Sequence, residues 1–441
     1  MSYAAAIDGL FTLAGELHAA PGQPRRKFEL GEIRILAEAL GSPHLKFPSV
    51  LIAGTNGKGS TSATLASILQ AAGYRTGLYT SPHLIRVNER IRIDRQDISD
   101  DDFAAYYFRV DDCARKLVAD GRLKGSPSFF EAMTALAFVA FAEHRVDIAV
   151  LEVGMGGRLD ATNIVEPLVS VITDISLDHT EWLGGTITEI AREKAGILRQ
   201  DGVLVTLPQH PEANLVIGEA AVALNVRGVN AAEYIPVRGD ENGAYSLQVL
   251  GERIVTASPL SGAHQQRNVA LAIATAIELC NQHGYELTAA QIADGIRSTR
   301  WPGRLERFSK LGRADVLLDV AHNPAGAWAL RSALSHLRPQ PRTMTAVFGC
   351  LKDKPLAEMA QILFPLFDTV VLTEVPSPRT ASLQDLQAAA EATGAPVFTA
   401  PAPQEALVRA SELTPFDGLV VVTGSVYLVG ELRGLLLESD S

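Results

Sequence analysis

The sequence predicts an α/β protein: a P-loop-type N-terminal domain with a mainly parallel sheet, then a smaller Rossmann-like C-terminal α/β domain. Three observations carry this reading. Short apolar runs alternate with helical patterns almost throughout, which is the mark of parallel sheets covered by helices. One of those runs, Val50-Leu-Ile-Ala, breaks into the glycine-spaced turn Gly54-Thr-Asn-Gly-Lys-Gly-Ser60 and then into a helical pattern. A chain of 441 residues also exceeds the size at which one core stops growing, so two domains are expected.

In chain order, strands are expected at 49–53, 75–80, 147–153, 168–173 and 203–207. The helix after the turn runs from Ser60 to Ala72, with Leu65, Ile68 and Leu69 at helical spacing and Gly73 as its stop. Glu131 to Glu143 forms an apolar helix. The shorter, more polar pattern at 225–258 is read as an antiparallel excursion. Helices follow from Gln265 to Cys280 and from Thr288 to Ile296. The turn-rich Ser298-Thr-Arg-Trp-Pro-Gly-Arg304 is read as a linker, so the expected domains are 1–297 and 305–441. In the second, strands at 315–320, 344–348, 369–373, 396–399 and 418–423 alternate with helices at 325–337, 355–364, 382–393 and 404–412.

Bulk properties narrow the function classes. A formal charge of −11 argues against nucleic-acid or membrane-surface binding, so an anionic substrate must be met by local basic residues. Cys113, Cys280 and Cys350 are scattered without a C-x-x-C pair, which suggests a reducing compartment and no zinc or disulfide framework. Acidic residues interrupt the opening apolar stretch and no apolar run reaches membrane-spanning length, so a cytoplasmic protein is expected.

The turn at 54–60 departs from G-x-x-x-x-G-K-[ST], with Ile52 at the first glycine position and Gly59 between Lys58 and the hydroxyl of Ser60. Its glycines still free backbone amides for phosphates, with Lys58 reaching the outer ones. Further clusters lie at or beyond predicted strand ends, where open α/β sheets place their sites. Thr80-Ser-Pro-His83 leads to Arg90, which could grip a carboxylate or form a surface ion pair. Glu152 stands inside a strand of buried type and needs either a cation or an arginine beside it. Asp174-Ile-Ser-Leu-Asp-His179 closes another strand. Ser81, Glu152 and His179, each after a separate strand, could share a metal. Lys194 ends a helix opened by the capping box Thr186-Ile-Thr-Glu189, where a lysine ordinarily favours the helix dipole. Asn268 begins a helix, and Asp319-Val-Ala-His-Asn-Pro324 follows a strand, both compatible with capping.

Together these residues resemble the folylpolyglutamate synthase and dihydrofolate synthase family of ATP-dependent amide ligases, relatives of the Mur ligases. The resemblance runs nearly end to end, through Gly54–Ser60, Thr80-Ser-Pro-His-Leu84, Glu152-Val-Gly-Met-Gly-Gly-Arg-Leu-Asp-Ala-Thr-Asn163, Leu177-Asp-His179, Glu193-Lys-Ala-Gly-Ile197, Asp319–Pro324 and Thr423-Gly-Ser-Val-Tyr427. It implies ATP binding by Gly54, Thr55, Asn56, Gly57, Lys58, Gly59 and Ser60, with Asn268, Arg304 and Asp319 on the nucleotide. It implies two magnesium sites, one held by Ser81, Glu152 and His179 and one by Ser60. Lys58, Lys194 and His179 are the implied catalytic residues, Lys194 matching a lysine that the family carbamylates. The implied pterin site comprises Lys27, Phe28, Glu29, Leu30, Ser128, Phe129, Phe130, Glu131, Leu159, Asp160 and Ala161, with Phe129 and Phe130 as an aromatic face. Arg90, His322 and Ser425 are the implied glutamate contacts.

The implied small-molecule substrates are ATP, L-glutamate, dihydropteroate and folates, joined through an acyl phosphate. The Gly157–Asn163 version resembles bifunctional bacterial members, so both synthase activities are expected in one chain, with a folylpolyglutamate synthase alone as the alternative and a P-loop phosphotransferase or nucleoside triphosphatase as the rival from another class. No nucleic acid or membrane partner is expected, the protein is expected as a monomer, and a requirement for a monovalent cation is left open.

Overall fold

The computed structural model describes residues 2–13, 29–236, 244–309, 312–337 and 340–438. Its contacts divide the chain into two units. The first comprises Met1–Ser81, Asn88–Pro259 and Gln266–Thr299; the second comprises Pro82–Val87, Leu260–Gln265 and Arg300–Ser441.

In the first unit the strands are β1 (Ser49–Ala53), β2 (Thr76–Tyr79), β3 (Ile91–Ile93), β4 (Gln96–Asp97), β5 (Ile148–Glu152), β6 (Val169–Ile172), β7 (Val203–Thr206) and β8 (Arg227–Asn230). Among the described residues they form one sheet in the order β4-β3-β2-β5-β1-β6-β7-β8. The run from β2 to β8 is parallel, and β3 and β4 are antiparallel additions. β1 is buried along its whole length between β5 and β6. This burial on both faces is why it reads as an unbroken apolar run and not as an alternating one.

Val50 and Ile52 pack with Leu65, Ile68 and Leu69 of the helix Lys58–Ala71, and with the apolar face of the helix Ala263–His283. The helix Lys58–Ala71 is rich in small residues and buried from Gly59 to Leu69. It packs tightly on the helix Ala289–Ser298, where Gly295 meets the backbone of Ile68 and its carbonyl accepts the Ser67 hydroxyl at 2.7 Å.

The segment expected as an antiparallel excursion is only partly so. β8 joins the main sheet in parallel with β7; only β9 (Tyr245–Val249) and β10 (Glu252–Thr256) pair as an antiparallel hairpin. β8 escaped notice because Arg227-Gly-Val-Asn230 is a polar, mostly exposed edge strand. The β3–β4 hairpin escaped too: it is short and turns through Asp94 and Arg95, both at positive φ.

The second unit contains β11 (Glu306–Phe308), β12 (Asp315–Leu318), β13 (Met344–Phe348), β14 (Thr369–Thr373), β15 (Val397–Ala400) and β16 (Leu419–Thr423), in the order β11-β12-β16-β13-β14-β15. All pairs are parallel except β11 with β12. Ala346, Phe348 and Val421 face the helices Pro324–Ser335 and Leu356–Leu363. Val347, Val420 and Val422 face the helices Pro403–Leu413 and Val426–Glu438. Alternation along each strand thus feeds two cores, as a doubly covered sheet requires. Among the described residues no helix is long and apolar enough to cross a membrane.

Gly295→Ala tests the close helix contact. The added methyl meets the Ile68 backbone, which cannot swing aside. Overpacking of this kind costs about 1–3 kcal/mol, so a lower midpoint in urea denaturation is expected, and an unchanged midpoint would contradict the contact.

Candidate active site

β2, β5, β1 and β6 are neighbours and parallel, so their C-terminal ends share one edge of the sheet. The glycine turn leaves β1 at that edge and is braced by residues just beyond β6. The Asp174 carbonyl accepts the amides of Thr55 at 2.9 Å and Asn56 at 3.3 Å. The Thr55 hydroxyl donates to the Ser176 carbonyl at 3.0 Å, and the Thr173 hydroxyl donates to the Asn56 carbonyl at 2.8 Å. Position 54 has to be glycine because a Cβ there would overlap the Thr173 hydroxyl. Gly57, at φ +90, starts the helix Lys58–Ala71, and a Cβ on it would overlap the Asn268 side chain. The first-turn amides of that helix lack intrahelical partners, and the helix dipole favours an anion beside them. Ser60 lies buried in this turn.

Two ammonium groups converge on the loop. Lys58 Nζ donates to the carbonyls of Gly54 and Thr55, each at 3.1 Å, and Lys194 Nζ donates to the same Gly54 carbonyl at 2.7 Å. Lys194 is buried near the end of the helix Ile187–Ala195, whose start is the expected capping box of Thr186 and Glu189. Burial, and then the nearby charge of Lys58, bring its pKa down to about 7, against the opposing pull of Asp178 and Asp160. Near neutral pH the side chain is therefore a mixture of ammonium and amine, and the amine form is nucleophilic. This lysine is set into the site, beyond the helix-end role that its sequence position suggested.

Glu152 ends β5 almost wholly buried, and its Oε2 accepts the Ser81 amide at 3.2 Å. His179 follows β6 with φ +50, its amide donating to Asp178 Oδ1 at 2.9 Å. Among the described residues no group of three or more His, Cys, Asp or Glu is gathered as a metal cluster. The structure joins Ser81 to Glu152 through that hydrogen bond. A buried carboxylate and serine hydroxyls are oxygen donors of the kind a hard cation takes, so Glu152, Ser81 and Ser60 fit magnesium by the chemistry of their donors.

The residues read as a pterin site fall into distinct environments. Lys27 and Phe28 lie outside the described residues. Glu29 is exposed and precedes the helix Leu30–Ala39, with Leu30 half-buried. Ser128 and Glu131 cap the helix Phe129–Glu143 reciprocally, at 3.2 and 2.8 Å. The two phenylalanines read together as an aromatic face differ in their surroundings. The Phe130 ring is buried against Tyr79, with centroids 5.9 Å apart, and covers Gly154. Phe129 is half-buried, stacked with Phe11 at 5.7 Å, and carries the Arg90 guanidinium 5.1 Å from its centroid. Adjacent positions on a helix point about 100° apart, so only one of the two rings turns outward. Asp160 Oδ2 accepts the Met155 amide and Oδ1 the Thr162 amide, both at 3.0 Å, so its carboxylate shapes the turn before Ala161. Burial raises its pKa and these hydrogen bonds oppose the rise. Leu159 is half-buried and Ala161 buried.

Arg304, Asp319, His322 and Ser425 belong to the second unit. Asp319 lies buried just past β12, where its carboxylate accepts the Leu305 amide at 3.1 Å and the Ala321 amide at 3.0 Å. Burial raises its pKa, while Arg304 and His264 act against that rise. His322 Nδ1 donates to the Val320 carbonyl at 2.8 Å. Ser425 is buried, and its hydroxyl accepts the Tyr427 amide at 3.2 Å at the start of the last helix. Sequence reasoning missed Thr173 and Arg267. Their roles depend on partners far along the chain, and no local spacing announces them.

Residues 52–276 match the Mur ligase middle domain, and residues 303–426 match the Mur ligase, glutamate ligase domain. The chain is 36% identical over 423 residues to folylpolyglutamate synthase of Lacticaseibacillus casei, covering 93% of this chain and 94% of that protein. It is 34% identical over 419 residues to dihydrofolate synthase/folylpolyglutamate synthase of Bacillus subtilis, covering 92% and 94%. The structure of Mycobacterium tuberculosis folylpolyglutamate synthase complexed with ADP matches with a TM-score of 0.89 at 35% identity, covering 98% of each chain.

Two outcomes follow from the loop. Gly57→Ala places a methyl at positive φ against Asn268. ADP affinity measured by calorimetry should fall at least about tenfold while the circular dichroism spectrum holds, since strain at such a position is local. Unaltered affinity would contradict the described loop.

The second outcome concerns pH. An ordinary lysine titrates at 10.5 and native Lys194 at about 7. Between these values the unfolded chain holds a proton that the native chain has released, so this group's contribution to stability rises with pH across that window. Below pH 7 the burial penalty is complete. In buffer free of carbon dioxide, the stability of the unaltered protein relative to Lys194→Met should therefore climb from pH 7 to pH 9 in urea titrations. Parallel pH profiles would refute the depressed pKa.

Proposed function

This chain belongs to the folylpolyglutamate synthase/dihydrofolate synthase family of the Mur ligases, and from that premise we propose that it carries both activities. It is an ATP-dependent carbon–nitrogen ligase. In the bifunctional reading it joins L-glutamate to dihydropteroate, giving dihydrofolate, and to the γ-carboxylate of tetrahydrofolate, giving a longer tail. The observation that carries the reading is the convergence of Lys58 and Lys194 on the Gly54 carbonyl, at the mouth of a helix that begins with unpartnered amides.

The reaction has two chemical steps. A carboxylate oxygen of the folate or pteroate attacks the γ-phosphorus of ATP; the new P–O bond forms as the bond to the β-phosphate oxygen breaks, releasing ADP. The amine of glutamate then attacks the acyl carbon, phosphate departs with the acyl C–O electron pair, and the amine proton is lost to give the amide. Gly54, Thr55, Asn56, Gly57, Gly59 and Ser60 shape the phosphate cradle in this proposal, and Lys58 neutralises charge that develops on the transferring phosphoryl oxygens. Asn268, Arg304 and Asp319 are assigned to the nucleotide in the same reading.

Magnesium, held by Ser81, Glu152 and His179 at one site and by Ser60 at another, would supply charge neutralisation for the phosphates. Lys194 takes up carbon dioxide through its amine, forming an N–C bond and releasing a proton. The resulting carbamate is anionic where the ammonium was cationic; the pKa of about 7 supports this chemistry. The pterin contacts are assigned to the half-buried face of Phe129 with Leu30, Leu159 and their neighbours, and the glutamate contacts to Arg90, His322 and Ser425. We assign residues 1–297 to the ATP and pterin domain, 298–304 to the linker and 305–441 to the C-terminal ligase domain, in a monomeric cytoplasmic enzyme.

The test is phosphate release from ATP with magnesium, dihydropteroate and glutamate, each acceptor omitted in turn and products weighed by mass spectrometry. Release should need both acceptors and yield dihydrofolate, and tetrahydrofolate should likewise gain glutamate. Activity on tetrahydrofolate alone would restrict the enzyme to tail extension. Release indifferent to both acceptors would make it a phosphotransferase or simple nucleoside triphosphatase.

A further inference from the structure

Arg267 immediately precedes Asn268 on the helix Ala263–His283, and it points at the far side of the same loop. Its Nε lies 3.0 Å from Asp174 Oδ2 and its Nη2 lies 2.6 Å from Oδ1, a forked, bidentate pair. Nη2 also donates to the Pro208 carbonyl at 3.0 Å. The neighbouring Gln209 holds the same strand end by its backbone: Nε2 donates to the Thr173 carbonyl at 3.1 Å, and Oε1 accepts the Ile175 amide at 2.8 Å. Asp174 in turn presents the carbonyl that accepts the amides of Thr55 and Asn56.

One turn of this helix therefore reaches both ends of the phosphate loop. Asn268 fills the space beside Gly57, and Arg267 fixes Asp174, which fixes Thr55 and Asn56. The consequence is chemical as well as mechanical. The Thr55 and Asn56 amides are spent on Asp174, so the amides left to meet an anion are those of the helix start at Gly57 to Ser60.

We propose that Arg267 is a positioning residue for ATP: through its bidentate pair with Asp174 it holds the phosphate loop in the form whose helix-start amides face the phosphates. This rests on the nucleotide reading of the loop given above. The Asp174 side chain is 41% exposed and that of Arg267 30%. A pair so exposed adds little to global stability. Its effect should therefore appear in nucleotide affinity and not in the melting temperature, which separates positioning from simple scaffolding.

The experiment compares the unaltered enzyme with Arg267→Met, Arg267→Lys, Asp174→Ala and the Arg267→Met/Asp174→Ala double variant. Calorimetric ADP affinity, the KM for ATP, kcat and Tm are measured on each full-length protein. Arg267→Met and Asp174→Ala should each weaken ADP binding and raise the KM for ATP by about five- to tenfold, with kcat within about twofold and Tm unchanged. The double variant should be no worse than Arg267→Met, because both changes remove one interaction. Arg267→Lys should recover only part of the loss, since an ammonium cannot reproduce the fork.

A silent Asp174→Ala beside an impaired Arg267→Met would overturn the proposal, because the arginine would then act on the nucleotide directly. A fall in Tm matching the loss of affinity would overturn it in favour of scaffolding, as would variants that bind ADP like the unaltered enzyme. If the unaltered enzyme bound no ADP, the nucleotide reading itself would fall and this proposal with it.

Discussion

The site depends on holding two lysine side chains against one backbone carbonyl. Lys58 and Lys194 both donate to the oxygen of Gly54. Two like charges that close repel, and in a buried setting the repulsion is poorly screened. The protein meets this in two ways: Lys194 yields its proton more readily than a free lysine, and Asp178 and Asp160 act on it from further away. A triphosphate is the natural complement of the charge that remains. A chain of formal charge −11 thus keeps a small cationic pocket inside an otherwise anionic molecule. Selectivity for an anion comes from local geometry, as the long-range field of the whole protein would repel it.

That geometry is assembled by the sheet. Gly54, Ser81, Glu152 and Asp174 lie far apart in sequence yet stand at or just past the ends of β1, β2, β5 and β6, which are neighbours. The loop makes few demands on its own residues beyond the two glycines whose space is taken by Thr173 and Asn268. Its shape is imposed by what surrounds it: the carbonyl of Asp174, the hydroxyl of Thr173 and the start of a small-residue helix packed closely on another. Core packing and site geometry are accordingly coupled through the helix Lys58–Ala71, whose first turn belongs to the site and whose remainder belongs to the core.

The alternation of strands and helices was legible because buried parallel strands such as Leu419–Thr423 are written as apolar runs, and helices such as Phe129–Glu143 begin with a capping box. Glu152 was legible for the opposite reason, as an acid that had no business in a buried strand without a partner. Strands β3, β4 and β8 were not, since an edge carries little apolar signature. Neither was the difference between Phe129 and Phe130, which is a matter of helix phase and neighbours. Lys194 sits where lysines ordinarily stabilise helix ends, and its burial could not be read from that position. The local amides that Asp160 accepts from Met155 and Thr162 were likewise not legible. Arg267 was invisible because its partner, Asp174, is fixed by tertiary structure alone.

The second unit is not one continuous stretch: Pro82–Val87 and Leu260–Gln265 belong to it along with everything after Arg300. The early segment is packed in earnest, for the Leu84 carbonyl occupies the space that a side chain on Gly430 would need, and Leu84 adjoins the cluster containing Val429 and Leu432. Order of synthesis therefore matters. Residues 82–87 are synthesised long before the helix Val426–Glu438 that packs on Leu84. The second unit therefore lacks part of this cluster until that helix has been made.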